Sequence, residues 1–164
     1  MRILGIDPGL NVTGYGIVEG QSEQVKVVEA GVVRTNGYSA MEDKLYQIAK
    51  EINEIINQFR PDAIAVEELY SHYGHPRTAI IMGHARGVVF LKAAEVGIPI
   101  FHYASTRIKK SLTGNGRASK RQVQRMIKST LGLTEIPEPP DTADALAVAL
   151  CHHRAIAHKQ AVPA

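Results

Sequence analysis

The chain contains no tryptophan, one cysteine and few aromatic residues, six Tyr and three Phe in 164 residues. A lone cysteine excludes an internal disulfide, and Cys151, set in an apolar run, reads as an inert buried thiol rather than a nucleophile. Long apolar runs are also missing. Stretches such as "GVVFL" (87–91) fall far short of the roughly 20 residues that span a bilayer, and "MRILGIDPGL" lacks the apolar core of a cleavable signal. A cytoplasmic protein is therefore expected. Hydrophobic content of 45% with 21% charged residues excludes disordered and fibrous classes, and the length suits a single domain over residues 1–164.

The most informative absence is local. No Asp or Glu occurs from 96 to 134, whereas Arg107, Lys109, Lys110, Arg117, Lys120, Arg121, Arg125 and Lys128 all do. These eight of 19 basic residues, set aside, leave 11 basic against 16 acidic residues, a formal −5 in a chain whose total is +3. A solvated helix face usually mixes both signs, so a one-sign segment points to a polyanion, most simply nucleic acid.

What is present reads as alternating strands and helices. "RILGID" (2–7), "VTGYGIVEG" (12–20) and "QVKVVEAGVVRT" (24–35) predict three strands joined by short turns, an antiparallel meander. Residues 39–59 carry Leu45, Ile48, Ile52, Ile55 and Ile56 at helical spacing. "DAIAVEELY" (62–70) predicts a buried strand, 76–97 a long helix, 98–104 a fifth strand and 105–112 a short helix. Helix 119–132, with Gly132 as its cap, presents Val123, Met126, Ile127 and Leu131 on one side and basic residues on the other. Gly83 and Gly87, four apart, invite close approach of another backbone, within the fold or across a dimer interface. The order β-β-β-α-β-α-β-α-α-α implies an α/β fold with a mixed sheet and helices on both faces.

Acidic residues punctuate this pattern. Asp7 ends the first strand, and Glu67 and Glu68 end the fourth; side chains alternate, so one of the two glutamates shares the face of Asp7. In "PPDTADALAVAL" (139–150), Asp141 after Pro140 reads as an N-cap. Asp144 fits that reading less well, because like charges three apart on one helix repel. If the last helix packs at the edge where the strands end, four carboxylates meet. Such a cluster needs cations, and oxygen ligands without Cys or paired His suit Mg²⁺ or Mn²⁺. Two such ions beside a basic patch are the charge layout of a nuclease.

"LGIDPGLNVTGYGIV", "AVEELY", "GHARGVV", "GNGRASKRQVQRMI" and "DTADALAVAL" occur in the order and spacing of the RuvC family of Holliday junction resolvases, which the chain resembles from about residue 2 to residue 153. The resemblance implies a ribonuclease H-like mixed five-stranded sheet, three antiparallel strands then two parallel, flanked by helices on both faces. It implies a homodimer that makes symmetric Mg²⁺-dependent nicks in two like-polarity strands of a four-way DNA junction, in homologous recombination and DNA repair, leaving 5′-phosphate and 3′-hydroxyl ends. By the same resemblance, two Mg²⁺ ions, replaceable by Mn²⁺, are held by Asp7, Glu67, Asp141 and Asp144, which selects Glu67 over Glu68. Tyr70 matches an aromatic near the cleavage centre, and Lys109 and Lys120 match DNA-contacting lysines, with Lys110 an alternative to Lys109. A RuvA–RuvB branch-migration complex is the implied partner. Arg117, Arg121 and Arg125 join as phosphate contacts by patch membership alone. "SHYGHPR" (71–77) departs from the family pattern; His72, Tyr73, His75 and Arg77 are within its reach of DNA at the junction centre, but the segment reads first as a variable surface loop, while His152 and His153 read as surface or packing residues.

Three rivals stand at this level: a ribonuclease H-like nuclease acting on other branched DNA or on RNA; a junction-binding module without chemistry, which the intact acidic set argues against; and a sugar-kinase or actin-type ATPase, whose phosphate loop resembles "DPGLNVTGYG". The ATPase architecture needs two such domains, for which 164 residues leave no room.

Overall fold

The valine- and isoleucine-rich runs at the start of the chain pair as expected. In the computed structural model, which describes residues 1–21, 24–69 and 76–161, β1 (Arg2–Asp7), β2 (Val12–Gln21) and β3 (Gln24–Arg34) form an antiparallel meander. Helix α1 (Met41–Phe59) then leads to β4 (Ala63–Glu67), parallel to β1, and α2 (Pro76–Glu95) to β5 (Ile100–Tyr103), parallel to β4. The sheet order is β3-β2-β1-β4-β5, and α3 (Ser105–Thr113), α4 (Lys120–Thr130) and α5 (Pro140–Ala161) follow.

Strand alternation divides the core between two faces. Leu4, Ile6, Ile64 and Val66 pack with Ile48, Ile52, Ile55 and Ile56 of α1 and with Ala85 and Val89 of α2. Ile3 and Ala65 point the other way, into a cluster with α3, α4 and the alanine-rich α5. The result is three layers, helices on both faces of a mixed five-stranded sheet.

Helix α5 reaches the sheet unusually closely because glycine faces it. A Cβ at Gly5 would lie 2.0 Å from the carbonyl oxygen of Ala145, and one at Gly14 would lie 2.1 Å from that of Asp141. Ala145 and Ala149 are fully buried in this seam.

Strand β4 ends at Glu67, the first of the acidic pair expected to close it, and Tyr70, His72, Tyr73 and His75 lie outside the described residues. Two expectations change. Asp141 is not an N-cap: α5 begins at Pro140, whose fixed φ and missing N–H suit the first helical position, so Asp141 already lies inside the first turn. Gly132 stands one residue past the α4 cap, Leu131, in a left-handed conformation with φ of 63°. Among the described residues nothing approaches Gly83 or Gly87, around which a Cβ would find open space, so of the two expected settings for these glycines the described fold supplies no internal one.

Candidate active site

Asp7 and Glu67 are the last residues of neighbouring parallel strands. Asp7 continues the alternation of Ile3 and Gly5, and Glu67 that of Ala65, so both side chains emerge on the α5 face. Asp141 and Asp144 stand at the start of α5, on the helix that the glycine seam holds against β1 and β2. Glu68 is exposed, and its charge acts on Arg86 and His102 on the opposite side of the sheet.

The electrostatics reflect this convergence. Burial, followed by the charges of Asp144, Glu67 and Asp141, pushes the Asp7 carboxyl up to about 7, against the opposing effect of Lys120. Burial also raises Glu67, opposed by a hydrogen bond from the Ser105 hydroxyl and reinforced by Asp144, with Lys109 and Lys120 pulling it back. Lys120 Nζ donates to Asp144 Oδ2 at 2.7 Å. Desolvation lowers this ammonium's proton affinity, but Asp144, Asp7 and Asp141 more than offset that and leave it raised.

Among the described residues, no three carboxylate, thiol or imidazole groups converge tightly enough as they stand to hold a metal ion. Lys120 instead supplies the cluster's positive charge. The donor set fits a hard divalent cation: four carboxylates stand without a thiol or imidazole among them, on a buried edge where their charges act on one another.

Of the basic residues, Lys109 and Lys120 enter the site. They line a cleft of about 240 Å³ with Glu67, Ser105 and Asp144. Lys110 is exposed and outside that lining, which favours Lys109 over its neighbour. Arg121 and Arg125 stand exposed one turn apart on α4, and Arg117 is exposed in the preceding loop. Lys120 is the first residue of α4 because Ser119 and Gln122 form a reciprocal capping box. Arg77 is exposed in the first turn of α2.

His152 and His153 are packing residues. His152 is 2% exposed, shares a 2.6 Å hydrogen bond with the Tyr103 hydroxyl and stacks on Phe101. Cys151 is buried, which pushes its thiol up and keeps it inert. Sequence reasoning missed Ser105. Its signal is slight, a serine opening a helix directly after a strand, and here the hydroxyl serves Glu67 rather than capping α3.

Residues 3–152 match the family described as "Crossover junction endodeoxyribonuclease RuvC". A protein of that name from Rhodopirellula baltica is 48% identical over 151 residues, 92% of this chain and 85% of the relative. One from Ruminiclostridium cellulolyticum is 46% identical over 93% of this chain and 91% of its own length. Among solved structures, "T. thermophilus RuvC in complex with Holliday junction substrate" superposes with a TM-score of 0.92 at 34% identity, covering 100% of this chain and 99% of that one. On sequence and on fold, the chain belongs to the RuvC family of crossover junction endodeoxyribonucleases.

Proposed function

We propose that this chain resolves Holliday junctions in homologous recombination and DNA repair, as a metal-dependent nuclease that nicks two like-polarity strands symmetrically and leaves 5′-phosphate and 3′-hydroxyl ends. The single observation that carries the reading is the edge where Asp7, Glu67, Asp141 and Asp144 meet beside Lys109 and Lys120. Asp7, Glu67, Asp141 and Asp144 are the ligands for two Mg²⁺, with Mn²⁺ able to substitute. Bound there, such ions lower the pKa of a water and stabilise the leaving oxygen of a phosphodiester.

The chain's own groups do the rest. Lys109 and Lys120 bring a phosphate into the cleft, and Arg117, Arg121 and Arg125 extend the positive surface along the duplex arm. The Ser105 hydroxyl favours the ionised form of Glu67 against the burial that raises it. Tyr70, following directly on the described part of the β4 end, is assigned to stacking on a base at the junction centre.

A homodimer fits the exterior of α2. Ile80 and Leu91 are 61% and 57% exposed, and Gly83 and Gly87 lie between them at helical spacing with open space above, forming an apolar stripe that none of the described residues covers. Family membership supports RuvA–RuvB as the associated motor. Residues 1–164 serve as one nuclease domain.

Cleavage of a mobile four-way junction, a linear duplex and an RNA–DNA hybrid under identical Mg²⁺ tests the assignment. Preference for the junction is expected; preference for the hybrid would replace it with a ribonuclease reading.

A further inference from the structure

The acidic cluster lies on the α5 face of the sheet, but the backbone that carries Glu67 is held from the opposite face. Arg86 of α2 donates through Nη1 to the main-chain carbonyl of Glu67 and through Nη2 to Nδ1 of His102 on β5, at 3.0 Å. Arginine has no acceptor, so His102 accepts with Nδ1 and carries its proton on Nε2. The guanidinium also lies over the Phe90 ring, 5.0 Å from its centroid, and that ring meets His102 edge-on at 5.2 Å. One planar fork, backed by an aromatic ring, thus ties the ends of β4 and β5 to α2.

The position matters because Glu67 is where strand pairing runs out. The β1–β4 register ends at Ile6↔Val66, and the β4–β5 register ends one pair later at Glu67↔Tyr103. A strand side chain is aimed by its own backbone dihedrals, and at a strand's last residue the ladder no longer fixes them from both sides. Arg86 grips the Glu67 carbonyl from one face while Ser105 and Lys109 act on its carboxylate from the other.

We infer that Arg86 is a positioning residue for Glu67, holding the end of β4 so that the carboxylate is presented to the cation site in one orientation. This rests on the proposed role of Glu67 as a metal ligand. Groups that orient a metal ligand typically change metal affinity or activity by about 10- to 100-fold. Arg86 is expected at the lower end, because Ser105 remains.

The test uses the full chain and Mn²⁺ as probe, with calorimetric Mn²⁺ affinity, junction affinity without metal, and kcat and KM for junction cutting. Arg86→Met is expected to weaken Mn²⁺ roughly tenfold and lower kcat by a similar factor, leaving KM and metal-free junction affinity unchanged. In a Glu67→Gln background, the same substitution should cost no further Mn²⁺ affinity, since it acts through that carboxylate. Arg86→Lys should recover part of the loss, because an ammonium can reach the carbonyl but cannot fork to His102. Wild-type Mn²⁺ affinity in Arg86→Met, or a loss fully additive with Glu67→Gln, would overturn the inference. If Arg86→Met fails to fold, Arg86→Lys decides alone: a loss of about threefold supports the role, and wild-type values overturn it. Glu67→Gln separates the two levels. If it leaves Mn²⁺ affinity intact, the ligand assignment of Glu67 falls and this inference with it; if it weakens Mn²⁺ while neither Arg86 variant does, only this inference falls.

Discussion

At the scale of single residues, Asp7 carries the clearest physical signature of the site. Its carboxyl, raised by burial and by three neighbouring carboxylates to about 7, retains in the metal-free fold a proton that the unfolded chain gives up near pH 4. The native state therefore binds more protons than the unfolded state between those values. Stability is fully present below about pH 4 and declines as pH rises toward 7. Asp7→Asn should remove this decline and stabilise the metal-free protein at pH 8 by roughly 1–3 kcal/mol, measured by thermal melts across pH. Mg²⁺ should raise the wild-type melting temperature at pH 8 and have a much smaller effect on the variant. A variant that melts with the wild-type pH profile would show that Asp7 does not sense the cluster. Asp7 was legible in the sequence as the acid closing an apolar strand. Between Glu67 and Glu68, spacing alone left the choice open. Strand alternation in the fold separates them, placing Glu67 with Ala65 toward α5 and Glu68 toward Arg86.

At the scale of elements, the site depends on how close α5 lies to the sheet. The seam of Gly5 and Gly14 against the backbone of Ala145 and Asp141 leaves no room for a methyl group. Gly14→Ala should push the first turn of α5 outward, carrying Asp141 and Asp144 with it. A loss of about 1–3 kcal/mol is expected, seen as a fall in melting temperature, together with weakened Mn²⁺ binding. Unchanged Mn²⁺ affinity would mean that α5 tolerates displacement without consequence for the ligands. Periodicity made α1 and α4 visible because each has a one-sided apolar stripe over a solvated face. It could not show this seam, since contact between a glycine and a helix backbone leaves no hydrophobic pattern. The start of α5 was displaced for a related reason: acidic residues signal a helix beginning, but Pro140 claims the first helical position and moves Asp141 inside. Ser105 and Arg86 were likewise hidden, their partners lying far away in sequence.

At the scale of the whole molecule, two surfaces define what the chain does. The first is the apolar stripe of α2, which a second copy would cover. If this stripe is the dimer seam, the wild type is expected at twice 17.9 kDa by light scattering, and Leu91→Asp combined with Ile80→Asp near 17.9 kDa. An unchanged dimer would move the interface elsewhere. The glycines of α2 were legible as an invitation to close packing, but not whether the guest was internal; the open space above them settles that it is not another part of the described chain. The second surface joins the acidic edge to the one-sign basic segment, whose charge asymmetry was evident before any fold was known. Strand-resolved cleavage of a four-way junction by wild type and Asp144→Asn, with binding followed in the same samples, tests this union most directly. The wild type is expected to make two symmetric nicks in like-polarity strands, and the variant to bind undiminished without cutting, if the carboxylates hold metal while lysines and arginines hold phosphate. Cutting retained by Asp144→Asn, or binding lost with it, would contradict the account.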